Sequence, residues 1–109
     1  MRIESLTFDT FRIYDAERSP GRGMLDPITV CLRDVGGGGQ IIVECYGAAW
    51  SHWFGALGSG TLRELVAGLS ENYLATKLVI NTVRRVTKRE EAYVTDIARA
   101  IISAIRGEV

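Results

Sequence analysis

The chain has 109 residues, long enough to bury a core as one domain, 1–109, without metals or disulfides. With 47% hydrophobic and 24% charged residues it has the composition of a folded globule and falls outside the disordered class. Thirteen basic and thirteen acidic side chains cancel, so no overall field draws the protein to nucleic acid or to a membrane surface.

The first segment, SLTFDTFRIYD, alternates. Phe11 and Ile13 fall on one parity and Phe8, Thr10 and Tyr14 on the other, as in a strand with two differently used faces. AERSPGRGMLDP follows, where Pro20, two glycines and Asp26-Pro27 mark a loop of about a dozen residues. PITVCLRDV and QIIVECYG are β-branched runs separated by Gly36 to Gly39, which reads as a hairpin with a four-glycine tip. Pairing Leu32 with Val43 and Val30 with Cys45 joins the apolar faces, whereas a one-residue slip sets Leu32 against Glu44. In this register Cys31 and Cys45 point to opposite sides and stay unbonded, as in a reducing compartment. Neither has a CxxC or CxH neighbour, so both read as small hydrophobes, with no metal site and no cofactor expected.

Trp50, His52, Trp53 and Phe54 then crowd into five positions, holding both tryptophans and the only histidine. Two tryptophans in a domain this small place at least one in the core, and an aromatic left showing suits a partner pocket. Beyond this knot the apolar period changes from two to 3.6. Thr61 and Glu64 fit a capping box before the Leu62, Leu65, Val66, Leu69 stripe, which gives a short helix over 61–69. Ser70 caps a second helix presenting Tyr73, Leu74, Leu78 and Val79. Thr87 and Glu90 fit another capping box, and Val94, Ile97, Ala98, Ile101, Ile102 and Ile105 keep helical spacing until Gly107. Three strands followed by helices describe an α+β fold: a three-stranded antiparallel sheet, two short helices, and a long C-terminal helix packed on the sheet.

No catalytic signature emerges. The adjacent Ser51 and His52 point in opposite directions in an extended chain, and a catalytic triad is assembled from separate segments. GALGSGT lacks the lysine and spacing of a phosphate loop and reads as a turn capped by Thr61. The cluster RRVTKREE offers Arg84, Arg85, Lys88 and Arg89 as a basic contact patch, or as a solvated junction, since Glu90 and Glu91 follow at once.

The stretch CYGAAWSHWFGALGSGTLRELVAGLSENYLATKL resembles a pattern in small phage and prophage proteins. An aromatic segment with two tryptophans precedes a short helix and a Y-L-x-x-K-L segment, matched here by Trp50, Trp53, Gly55, Gly58, Tyr73, Leu74, Lys77 and Leu78. The resemblance covers the central third of the chain and attaches no reaction to these residues. It implies a mobile-element protein that binds host machinery, as anti-CRISPR inhibitors do by blocking a surface on a CRISPR–Cas complex.

The leading expectation is therefore a non-enzymatic, cytoplasmic phage-type binding protein whose partner is a host protein complex. Trp50, His52, Trp53 and Phe54 serve as apolar anchors, and Arg84, Arg85, Lys88 and Arg89 as their charged companions. The second is a nucleic-acid-binding accessory protein that sets the same basic cluster on phosphates and stacks an aromatic on bases. The third is a small enzyme with His52 as general base, aided by Glu44 or Asp96. No apolar run reaches the length of a membrane span, and a homodimer through the sheet edge or the knot is compatible with all three.

Overall fold

The computed structural model describes residues 1–19 and 21–107. Four strands, β1 (Asp9–Ile13), β2 (Ile28–Val35), β3 (Gly38–Cys45) and β4 (Ala48–Phe54), precede helices α1 (Leu62–Ala67), α2 (Glu71–Val79) and α3 (Lys88–Arg106). The strands form one antiparallel meander in chain order, so the α+β class and the helix count follow the sequence, but the sheet has four strands rather than three.

The additional strand is the aromatic knot itself. Cys45 pairs with Ala48, leaving Tyr46 and Gly47 as a two-residue turn with φ of 52° and 81°. Two consecutive positive φ values fit a type I′ turn, whose twist matches that of the flanking strands. Tyrosine is an unusual occupant of left-handed backbone, and the turn is braced by the Gly47 N–H, which donates to Glu44 Oε2 at 3.0 Å. The chain therefore reverses earlier than the glycines near Gly55 suggest.

The β2–β3 hairpin corrects the expected register by two residues. Its tip is Gly36 and Gly37 alone, and Val35 pairs with Gly38, which brings Leu32 opposite Ile41, Val30 opposite Val43 and Ile28 opposite Cys45. Side chains alternate with period two, so the shift leaves every residue on its expected face; turn length decides the register. Gly38 and Gly39 belong to β3 because they are crowded. A Cβ on Gly38 would stand 2.7 Å from the Trp53 ring, and one on Gly39 would stand 3.0 Å from the Arg33 carbonyl and 3.2 Å from Leu62.

The helices cover one face of the sheet. Ile28, Val30 and Leu32 of β2 and Ile41, Val43 and Cys45 of β3 are buried there against Leu62 and Val66, Leu74 and Leu78, and Val94, Ile97, Ala98 and Ile101. Cys31 lies on the opposite, helix-free face, and both cysteines are free thiols. Thr61 and Glu64 complete the capping box of α1, and Asp34 Oδ1 accepts the Leu62 N–H at 2.7 Å, fixing α1 to the end of β2. Ser70 Oγ caps α2, and Gly107 closes α3 in the left-handed conformation.

Only half of the capping box expected at α3 forms. Thr87 Oγ1 accepts the Glu90 N–H, but the Glu90 carboxylate turns instead to Arg84 and Trp50. An arginine in bidentate reach is the stronger partner for a carboxylate than a backbone N–H. The β1–β2 loop folds back on itself, with Leu25 N donating to Ala16 O at 2.7 Å and Arg18 N to Gly23 O at 2.9 Å. It is fastened to α3 through Asp96, which is 2% exposed. The Asp96 carboxylate accepts from Ser19 Oγ at 2.8 Å and from Arg99 Nη1 at 2.9 Å, with Arg18 Nε at 3.8 Å. Among the described residues no helix is long and apolar enough to cross a membrane.

A candidate binding groove at the β4 edge

Strand alternation divides the knot. Trp50, His52 and Phe54 face the helices, while Ala49, Ser51 and Trp53 face the uncovered side of the sheet. Trp50 is 7% exposed and its ring lies 6.1 Å from that of Tyr93. Its indole Nε1–H donates to Glu90 Oε2 at 3.4 Å, and Glu90 is gripped by Arg84 at 2.6 and 2.9 Å. The Arg84 hydrogen bonds hold the Glu90 carboxyl below its ordinary range despite the opposing effect of burial. One arginine of the basic cluster thus meets one tryptophan of the knot through a shared glutamate. β4, the segment after α2 and the start of α3 are joined at that point.

Trp53 goes the other way. Its ring lies across Gly38 on the helix-free face and is 48% exposed, separated by the sheet from the basic cluster. Phe54 packs against the core edge-on to His52, with ring centroids 4.7 Å apart. The four aromatic candidates therefore do not form one contact surface. Trp50 joins Arg84, Trp53 stands on the opposite face, and His52 and Phe54 meet edge to face.

Among the described residues no carboxylate is hydrogen-bonded to His52. Its Nδ1 is buried without a hydrogen bond, and burial, with Lys77 nearby, pushes its pKa below the ordinary histidine value and favours the neutral ring. Glu44 sits on the other face of the sheet and braces Gly47, and Asp96 is engaged by Ser19 and Arg99. The Cys45 thiol is buried, which pushes its pKa up and disfavours thiolate; it donates to Asp26 O and accepts from the Tyr93 hydroxyl at 3.1 Å. Among the described residues no group of three or more His, Cys, Asp or Glu is placed to hold a metal ion.

A concave surface lies beside β4. One hollow, of about 420 Å³, runs between Ala48–Ser51 and the segment Asn81–Arg84. A second, of about 360 Å³, continues from it across Trp50, Tyr93 and Thr87 to Arg18 and Arg89. The two share Ala48, Trp50 and Arg84 and form one groove. Its floor is aromatic and aliphatic. Its far end is lined by Arg18 and Arg89: the Arg18 guanidinium stands 5.3 Å over the Tyr93 ring, and Arg89, like its sequence neighbours Arg85 and Lys88, has no ion-pair partner among the described residues.

Sequence reasoning missed two parts of this arrangement. Arg18, placed in a loop, reaches the groove only because Asp96 draws that loop onto α3. The available signal was an aspartate set inside the apolar stripe Val94 to Ile102, a burial cost that requires partners. The Asn81–Val83 part of the wall carries no periodicity to read.

Among protein families, a phage family, Phage_phiTE_072, matches residues 1–108. No curated protein and no solved structure matches the chain. With the match running from ahead of β1 to the residue beyond Gly107, the chain belongs to this phage family, in keeping with the phage resemblance of its central third.

Proposed function

We propose that this phage-family domain is a non-enzymatic binding protein that modulates a host macromolecular complex, a CRISPR–Cas effector being one example, by occupying a protein surface. The observation that carries the reading is the groove beside β4, where an apolar floor containing Trp50 and Tyr93 meets an arginine-bearing end. Aromatic residues and arginine are the side chains enriched at protein interfaces, and lysine-poor apolar hollows are where their anchors seat.

The test is affinity capture from host lysate with tagged protein, with and without nuclease. One stoichiometric protein complex that survives nuclease is expected. Nucleic-acid binding is the second reading, favoured by Arg85, Lys88 and Arg89, which have no ion-pair partner among the described residues; it predicts retention that vanishes with nuclease and affinity that falls steeply with salt.

A further inference from the structure

We propose that the groove takes an extended, acidic segment of the protein partner, which adds to the β4 edge as a fifth strand. This rests on the protein-binding reading above and names its partner surface. Among the described residues β4 pairs with β3 alone, so its other edge carries no strand. The Ser51 carbonyl accepts from the Asn81 side-chain amide at 3.3 Å rather than from β3, which shows that Ser51 turns its backbone groups outward. By alternation Ala49 and Trp53 do the same. Unsatisfied edge groups are a template for another strand, and proteins commonly blunt them with charge, proline or a cover. Here Asn81 supplies the one side-chain hydrogen bond to that edge among the described residues, and the flanking Ala48 and Ala49 are exposed methyl groups that let a second backbone approach to strand spacing.

The groove's side walls supply what strand addition leaves unspecified. Main-chain bonds give affinity in this mode, while pockets for alternate side chains give selectivity. Val83 is fully exposed beside the first hollow, offering an apolar contact, and the second hollow leads to Arg89, with Arg85 and Lys88 close in sequence. Arg84 is already neutralised by Glu90 and Arg18 sits beside Asp96, so Arg89 and its unpaired neighbours set the sign of the preferred partner. A strand with alternating apolar and carboxylate side chains fits both walls. Asn81 is then the group that an incoming N–H displaces from Ser51.

The experiment titrates the full chain, isotope-labelled, with three probes: a peptide of alternating valine and glutamate of roughly eight residues, about one strand length; its valine–lysine counterpart; and single-stranded oligothymidylate. Amide shifts centred on residues 48–53 with the glutamate peptide, and none with the lysine peptide, are expected. Asn81→Ala, which frees the Ser51 carbonyl, tightens binding by about two- to tenfold, the worth of one hydrogen bond. Arg89→Glu weakens it by about fivefold. Ala49→Pro, which removes an outward N–H at a position where an edge strand tolerates proline, abolishes it. No shift with the glutamate peptide, shifts confined to β1 at the opposite edge of the sheet, or no gain from Asn81→Ala would each overturn the proposal. The protein-binding reading would still stand on its capture result. Preferential shifts at Arg85–Arg89 with oligothymidylate would overturn both.

Discussion

Replacing Trp50 and Trp53 by alanine, one at a time, separates the two tryptophans that lie three residues apart. A tryptophan side chain covers about 150–250 Å². At about 25 cal/mol per Å² its full burial stabilises by about 4–6 kcal/mol, close to the ~3–5 kcal/mol that core aromatic deletions cost. Trp50 is 7% exposed and therefore carries nearly all of that, with about 1 kcal/mol more from its bond to Glu90. Trp53 is 48% exposed and keeps about half, or roughly 2 kcal/mol. Trp50→Ala should thus lose at least about 2 kcal/mol more than Trp53→Ala, a large part of the roughly 5–15 kcal/mol that holds a domain together. Urea unfolding measures both, because each variant retains the other tryptophan as its fluorescent probe, with far-ultraviolet circular dichroism as an independent signal. Equal losses, or a larger loss from Trp53→Ala, would refute the assignment of Trp50 to the core and Trp53 to the open face.

Asp96→Asn removes the charge that holds Ser19, Arg18 and Arg99 together, and should cost about 1–3 kcal/mol and open the 16–26 loop to proteolysis. Burial alone would raise the Asp96 carboxyl, but the hydrogen bonds from Ser19 and Arg99 outweigh it and hold the folded pKa below the ordinary value. Its stabilisation is therefore complete above the unfolded carboxylate value of about 3.9 and is lost as pH falls through the lower folded value. The deficit of Asp96→Asn, read from urea midpoints, should be greatest near neutral pH and shrink in acid. Native-state alkylation followed by mass spectrometry should label Cys31, partly exposed on the open face, and spare Cys45 until the protein unfolds. Thr61→Ala should lose about 1 kcal/mol by removing the α1 cap, measured by the same urea titration.

The legible parts of the fold were those governed by local rules. Thr61, Ser70 and Gly107 stop or start helices through groups within a few residues, and the α3 stripe declares its buried face by spacing alone. The parity of β2 and β3 was legible too, because period two survives an error in turn length. Tip length was not, since nothing local distinguishes Gly36 and Gly37, which need positive φ, from Gly38 and Gly39, which need empty space for Trp53 and Leu62. β4 was hidden by Tyr46 in a turn position usually given to glycine or asparagine, and by aromatics dense enough to read as a cluster rather than as an alternation. The groove depends on contacts across long separations. Trp50 to Glu90 and Ser19 to Asp96 are tertiary facts that no window of sequence contains.

Hydrogen exchange along β4, in the domain alone and in the nuclease-resistant complex it retains from host lysate, tests the central claim most directly. The outward-facing Ala49 amide should exchange freely in the isolated domain and become protected in the complex, as should the groove segment Asn81–Arg84. Protection confined to β1, the opposite edge of the sheet, with Ala49 unchanged, would contradict binding at the β4 edge.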